Sequence, residues 1–353
     1  MKLIRSAIEK MEAYVPGFQP KEGEKFIKLN TNENPYPPSP RVLEAIRRGI
    51  GASLRLYPNP LADSLRDKIA SLFKVPREWV IAGNGADEIL NMAVRVTVGK
   101  NDKMLVTDPT YILYEVLANF QEAKVIKCPL NQNFDLPNQF PVEGAKMILM
   151  TNPNSPTGCP FDKKKLEAIC RKAKGMVLID EAYADFADEN CMDFVKKFKN
   201  VIITRTLSKS FSLCGLRIGF AISNPEIIEA MMKVKDSYNM NRLSQLAGVA
   251  ALQDLDWMRQ GVRRIKRDRE FLTQKLIKLE FKVLPSQANF IFVRHSQISA
   301  LEIYKCLYEK RILVRHFNRP RLREYLRISI GVHQEMVKLV KVLEGILKGR
   351  DEK

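Results

Sequence analysis

Residues 201–220 read VIITRTLSKSFSLCGLRIGF. Val201–Ile203 is a continuous apolar run, as expected of a strand buried on both faces. The loop that follows carries three hydroxyls, Thr206, Ser208 and Ser210, with Lys209 among them and Arg217 eight residues further on. A second apolar run, Ile218–Ile222, closes the stretch. A lysine used as a catalyst usually means Schiff-base chemistry with a carbonyl group. An aldehyde cofactor bearing a phosphate needs an amine for the aldehyde, and hydroxyls and a guanidinium for the phosphate. This stretch supplies all three. The competing reading is an exposed Ser-Lys-Ser loop in a basic protein.

Upstream, similar runs recur at Met104–Thr107, Val125–Cys128, Met147–Met150 and Met176–Ile179, separated by helical patterns. Such alternation predicts an α/β fold: a mainly parallel central sheet with helices on both faces. Val42–Ile50 and Ser64–Phe73 read as amphipathic helices, and GNGADEIL (83–90) opens another through about Val98. Residues 1–40 are rich in Pro and Asn and predict an irregular arm laid over another surface. After the charged helical pattern Trp257–Leu279 the texture changes. FKVLPSQANFIFVRH (281–295), ILVRHF (312–317) and YLRISIG (325–331) read as strands. Leu301, Tyr304, Leu307 and Tyr308 are expected on one helical face, and Met336, Val337, Val340, Leu343 and Leu347 on another. The expected organisation is an arm (1–40), a large domain (41–255) and a small α/β domain (256–353).

The 353 residues are 45% apolar, enough for a sizeable core. No apolar run approaches the roughly 20 residues of a membrane helix, so no membrane partner is expected. The opening MKLIRSAIEKMEAYVPG has neither the apolar core nor the cleavage site of a signal peptide, which points to the cytoplasm. Six cysteines without a C-x-x-C pair, and three scattered histidines, argue against a structural metal site. The formal charge of +18 raises nucleic acid as a partner. The basic residues are dispersed among Asp and Glu, however, and solvated helix faces or anionic substrates account for them better.

Several motifs stand at predicted strand ends. GNGADE joins a tight glycine turn to a helix start, a ready anion site or a plain capping turn. It is neither a P-loop nor a full G-x-G-x-x-G, because Glu88 stands where the third glycine would be. MVLIDEAYADF (176–186) delivers Asp180 to the carboxyl edge of the sheet, where α/β proteins bind ligands. A carboxylate there can hold a pyridine nitrogen protonated, and Tyr183 can reach the same ligand. A nucleotide hydrolase would need a Walker A loop, which is absent. TNPNSPTG (151–158) offers polar side chains for a ring hydroxyl, DPTY puts Tyr111 where an aromatic can stack, and LYPNP holds Tyr57 in a Pro-rich loop. Arg315 and Arg327 lie in short, mostly apolar strands. Each needs an anionic partner, either an internal carboxylate or a substrate phosphate or carboxylate.

Taken in order, KLNTNENPYPPSP, LYPNP, GNGADE, DPTY, NPNSPTG, DEAYADF, TLSKSFSLCGLRIGF, ANFIFVR, ILVRHF and YLRISIG span nearly the whole chain. The chain resembles the aspartate-aminotransferase-like (fold type I) pyridoxal-phosphate enzymes. NENPYPPSP and LVRHF make it similar to their histidinol-phosphate aminotransferase branch. The resemblance implies that Lys209 holds the aldehyde of pyridoxal 5'-phosphate and shuttles the proton, that Asp180 pairs with the pyridine nitrogen, and that Tyr183 reaches the ring's phenolic oxygen. It implies that the backbone of Gly85, Ala86 and Asp87, with Thr206, Ser208 and Arg217, holds the phosphate, and that Tyr111 stacks on the ring. It further implies a homodimer in which Tyr57 reaches the neighbouring subunit's cofactor. Tyr14, Arg315 and Arg327 would meet the substrates, histidinol phosphate and 2-oxoglutarate or glutamate. The family usually has Asn immediately before the second Pro of its NPNSPTG loop; here Ser155 stands there, so the ring-oxygen contact falls to Ser155 or Asn152. An aromatic amino acid aminotransferase and a threonine-phosphate decarboxylase share the fold and most of the motifs.

Overall fold

The computed structural model describes residues 3–9, 11 and 17–351. Tyr14 lies outside the described residues. The chain opens with a single helical turn, α1 (Ser6–Glu9), and an irregular run that pairs at β1 (Ile27–Lys28). The central sheet has seven strands: β2 (Val80–Gly83), β3 (Lys103–Asp108), β4 (Lys124–Pro129), β5 (Met147–Thr151), β6 (Met176–Asp180), β7 (Val201–Thr206) and β8 (Gly219–Ser223). Their order is β2-β8-β7-β6-β5-β3-β4. The run from β4 to β7 is parallel, and β8 alone runs against its neighbours β7 and β2. A parallel neighbour needs a crossover of a dozen or more residues, whereas an antiparallel one can follow a short loop. The lysine loop is that short return, closed by Leu207 N–H donating to Ile218 O at 2.9 Å.

The sheet is buried on both faces, as the continuous apolar runs require. In β5, Met147 and Leu149 face one core while Ile148 and Met150 face the other. In β7, Ile202 and the pair Val201 and Ile203 divide the same way. One face is covered by α4 (Ala86–Thr97), α5 (Leu113–Phe120) and α8 (Pro225–Val234). The other is covered by α2 (Pro40–Gly49), α3 (Asp63–Phe73), α6 (Lys163–Lys172), α7 (Phe194–Lys197) and α9 (Arg242–Leu252).

The long helix α10 (Leu255–Lys278) leads to a four-stranded antiparallel sheet, ordered β12-β13-β10-β9. Its strands are β9 (Phe281–Val283), β10 (Phe290–His295), β12 (Arg315–His316) and β13 (Leu326–Ser329). Helices α11 (Ala300–Glu309) and α12 (His333–Asp351) pack on it. The remaining strand, β11 (Ile312–Leu313), pairs in parallel with β1.

Three expectations need correction. The arm is not wholly irregular, because Ile27–Lys28 finds a partner in β11, a pairing no local pattern encodes. Strand β2 was missed: it has four residues and runs directly into the glycine turn. The buried stripe of α11 is Ala300, Ile303 and Leu307, while Leu301 and Tyr308 are 45% and 40% exposed. Small Ala300 lets the helix sit one position round, and Tyr308 packs instead on Phe18 and Phe26 at ring distances of 5.8 and 5.6 Å. Among the described residues no helix is long and apolar enough to cross a membrane.

Candidate active site

A cleft of about 580 Å³ opens at the carboxyl ends of β5, β6 and β7. It is lined by Thr151, Asp180, Tyr183, Thr206, Ser208 and Lys209 on the sheet side and by Arg315 and Arg327 across from them. Register sets the floor: Asp180 lies opposite Thr151 on one side and Thr204 on the other.

Asp180 is 3% exposed. Its Oδ1 accepts from Thr204 Oγ1 and from Ala182 N–H, both at 3.1 Å, and its Oδ2 accepts from Tyr114 Oη at 3.1 Å. Burial pushes the carboxyl up to about 6, while the Tyr114 and Thr204 donors pull the other way. Among the described residues no side-chain cation forms an ion pair with it. Tyr114, fully buried and also 2.6 Å from Thr151 Oγ1, has its own hydroxyl raised well above the ordinary value by burial and by Asp180. A buried carboxylate backed only by neutral donors, with one side open to a cleft, is a receptor for a cationic ring nitrogen.

Lys209 is half-buried, with Nζ donating to Thr31 O at 3.3 Å and lying 5.9 Å from the Tyr183 ring centroid. Its loop is held on two sides. Asn34 Nδ2 donates to the carbonyls of Lys209 and Ser210 at 2.9 and 3.2 Å. Below it, Arg205 joins Glu181 (2.7 Å) and Asp185 (2.9 Å), and Ser210 Oγ donates to Asp185. Arg205 and Glu181 are 7% and 1% exposed, so this pair is desolvated and its loss would leave a buried charge unpaired.

The anion cradle forms where β2 turns into α4. Glu88 accepts from Asn84 N–H and from Asn239 Nδ2 (2.8 Å), so the residue in the third-glycine position caps the turn. Gly85 N–H is spent on Gly83 O at 2.9 Å, leaving Ala86 and Asp87 as the cleft-lining amides at the helix start. Gly85 contributes its φ of 88° instead, and a Cβ there would come within 2.6 Å of Arg217 Nη2. Arg217, itself at φ 49°, donates from Nη2 to Asp87 Oδ2 at 3.1 Å, and Tyr111 Oη donates to Asp87 Oδ1 at 3.3 Å. Thr206 and Ser208 hydroxyls are 2.9 Å apart beside them. Two amides, two hydroxyls and a guanidinium at a helix N-terminus suit a phosphate.

Across the cleft, Arg315 and Arg327 are direct cross-strand partners on β12 and β13. Phe317 lies between their guanidiniums, 5.4 Å from each. Arg327 also donates to Asn30 O at 3.1 Å and stacks over Phe290. Three buried polar atoms on the cleft wall have no hydrogen-bond partner among the described residues: Asn30 Oδ1, Thr31 Oγ1 and Thr110 Oγ1. Such atoms are costly unless a ligand meets them.

Two expected residues stand apart from this constellation. Asn152 is not at the cleft surface: its Oδ1 accepts from Phe161 N–H at 2.8 Å, whereas Ser155 does line the cleft. Tyr57 is 77% exposed, stacked on Tyr238 at 4.4 Å on the outer surface. Conversely, Tyr114, Thr204, Asn32, Asn34 and the Arg205 ion network went unread in the sequence. Thr204 alone had a usable signal, as the polar residue that ends the apolar run Val201–Ile203 and stands in register with Asp180.

The family model "aminotransferase class I and II" matches residues 24–343. A histidinol-phosphate aminotransferase of Geotalea uraniireducens (strain Rf4) is 42% identical over 344 residues, covering 97% of this chain and 99% of that protein. One of Synechocystis sp. (strain PCC 6803 / Kazusa) is 44% identical over 349 residues, covering 99% of each. The crystal structure of the Sinorhizobium meliloti histidinol-phosphate aminotransferase in complex with pyridoxal-5'-phosphate superposes with a TM-score of 0.86, at 22% identity, over 98% of this chain and 99% of that one. With the family model running from the arm to the last helix and such relatives matched end to end, this chain belongs to the class I and II aminotransferases.

Proposed function

We propose that this chain is a pyridoxal-phosphate-dependent aminotransferase that exchanges the amino group of histidinol phosphate with 2-oxoglutarate. The observation that carries the reading is the arrangement of one cleft: Lys209, Asp180 and Tyr183 on one wall, an anion cradle at its end, and paired arginines opposite. The residues fit the cofactor. Asp180 awaits a cation, Ala86, Asp87, Thr206, Ser208 and Arg217 suit a phosphate, and Tyr111 offers an aromatic face.

Bound there, pyridoxal phosphate supplies an aldehyde that takes up the substrate amine and a protonated ring that draws off the electrons of the broken bond. The protein does the rest. Lys209 Nζ would hold the aldehyde and, when free, would be the base that moves the proton of the substrate's α-carbon. Asp180, neutral or charged near pH 6 when alone, is held charged by a ring N–H⁺ and keeps that proton on the ring. Tyr183 donates to the ring oxygen, with Ser155 the nearer candidate for a second contact. Arg315 and Arg327 clamp the phosphate of one substrate and the carboxylate of the other.

The active unit is a homodimer in this reading. Leu54, Leu56 and Tyr57 are 50–77% exposed and adjoin Arg242 and Leu243 of α9 in a second groove. Tyr57 on that face would reach the neighbouring subunit's cofactor. Residues 1–40, 41–255 and 256–353 then serve as arm, large domain and small domain.

The test is kcat/KM with histidinol phosphate and 2-oxoglutarate, beside phenylalanine and threonine phosphate. A clear preference for histidinol phosphate is expected. Preference for phenylalanine, or release of carbon dioxide from threonine phosphate, would overturn the substrate.

A further inference from the structure

Asn32, in the stretch LNTNENP, is used by none of the chemistry above. It is 2% exposed and holds a φ of 56°, left-handed backbone that only glycine, and after it asparagine, adopts readily. Four hydrogen bonds keep it there. Its N–H donates to Ser329 Oγ at 2.9 Å, Ser329 Oγ donates to its Oδ1 at 3.0 Å, Asn289 Nδ2 donates to its carbonyl at 2.9 Å, and its Nδ2 donates to Tyr183 Oη at 3.0 Å. The direction of the amide follows from Ser329. A hydroxyl has one proton and two lone pairs; Ser329 Oγ accepts from the Asn32 N–H, and Oδ1 is the one acceptor its proton finds among the described residues, which leaves the NH₂ to face Tyr183.

Tyr183 Oη therefore accepts a hydrogen bond from Asn32, and its own proton is turned away from Asn32 toward the cleft that Tyr183 lines. Among the described residues Tyr183 Oη makes no other hydrogen bond; Phe290 stands edge-on to its ring at 5.1 Å and Lys209 Nζ lies at 5.9 Å, and neither accepts one. The preceding residue, Thr31, accepts from Lys209 Nζ. Two successive residues of one strap thus orient the two groups that flank the reacting carbon.

We propose that Asn32 is a positioning residue: by donating to Tyr183 Oη it commits Tyr183 to act as a hydrogen-bond donor toward the cofactor's ring oxygen. Because Ser329 and Asn289 hold Asn32 in place, that commitment depends on the C-terminal sheet being docked. The inference rests on the function proposed above.

The experiment uses four holoenzymes, the wild type, Asn32→Gly, Tyr183→Phe and the double variant, and titrates the visible absorption of bound pyridoxal phosphate with pH. A donor at the ring oxygen favours its anion and with it the deprotonated chromophore, so weakening the donor raises the midpoint. Glycine suits the backbone at residue 32, which separates loss of the amide from strain. Asn32→Gly is expected to raise the midpoint by about half to one pH unit, as loss of one modest hydrogen bond would. In the Tyr183→Phe background it should add nothing. An unchanged midpoint, or an equal rise without the Tyr183 hydroxyl, would overturn the proposal. Should Asn32→Gly not fold, Asn32→Asp keeps the shape and the Ser329 bond but can only accept; it captures the Tyr183 proton and must raise the midpoint, and no rise would again overturn it. A wild-type protein without a visible chromophore would sink the proposed function itself.

Discussion

Asp180 carries the sharpest physical signature in the molecule, a carboxyl raised by burial from 3.8 to about 6. A folded-state value above the unfolded one means the native protein binds the extra proton more tightly. Its contribution to stability is therefore fully present below about pH 4 and is lost as pH rises through 6. At neutral pH the apoenzyme carries a penalty of up to about 3 kcal/mol from this group. Asp180→Asn should accordingly unfold at a higher temperature than the wild type when both are cofactor-free at neutral pH, with the advantage vanishing toward pH 4. Calorimetry across that range checks it, and a gap that stayed constant with pH would refute the burial argument. The same variant should bind cofactor yet turn over slowly. Lys209→Ala should keep native circular dichroism and lose at least about 10²–10⁴-fold in turnover, the usual range for a positioned acid–base group. Retained turnover would remove Lys209 from the chemistry.

At the level of elements, the close approach of β8 to the α4 turn is what shapes the anion cradle. A Cβ on Gly219 would stand 2.4 Å from both Ala86 N and Gly85 C, backbone atoms that cannot swing aside. Gly219→Ala should push the turn out of register and weaken cofactor binding about tenfold or more, through the hydrogen bonds lost to a charged phosphate. Equilibrium titration of apoenzyme with pyridoxal phosphate measures it; unchanged affinity would mean the turn does not hold the phosphate. This is also the scale at which the sequence was most readable. Runs such as MILM and MVLI are buried on both faces and announce themselves without context. The run Ile218–Ile222 marked β8 as well, but not its antiparallel direction, and the four-residue β2 went unmarked, because direction and so short a strand depend on neighbours. Within the site, Lys209, Asp180 and Arg217 were legible because each charged group interrupts or ends an apolar run. Asn32 and Tyr114 were not, because each acts through a partner distant in sequence, Tyr183 and Asp180, and nothing nearby marks them. Asn152 misled for the opposite reason: its motif is conspicuous, but the loop spends its side chain on its own backbone.

For the whole molecule, Leu54, Leu56 and Tyr57 form an exposed apolar face. If the chain dimerises through this face as proposed, Leu56→Glu should convert the dimer to a monomer in sedimentation experiments and lower activity with it, because Tyr57 would then have no neighbouring site to complete. A dimer that persists unchanged would move the interface elsewhere. The formal charge of +18 fits anionic substrates, and a cleft with Lys209, Arg217, Arg315 and Arg327 around it concentrates part of that charge where phosphates must enter.

The strap from Leu29 to Tyr36 has one more consequence, and it concerns time. It leaves the ribosome well before its partners: Asp268 for Tyr36, Asn289 and Ser329 for Asn32, Leu313 for Leu29. Asn32 and Ser329 are 297 positions apart. The central sheet can assemble as its strands emerge, but the strap has nowhere to dock until the C-terminal sheet has been made. Until then Lys209 and Tyr183 stand without the neighbours that orient them. A nascent chain can thus own every residue of the cofactor cradle and still lack the contacts that orient Lys209 and Tyr183, until the strand that carries Ser329 has been made.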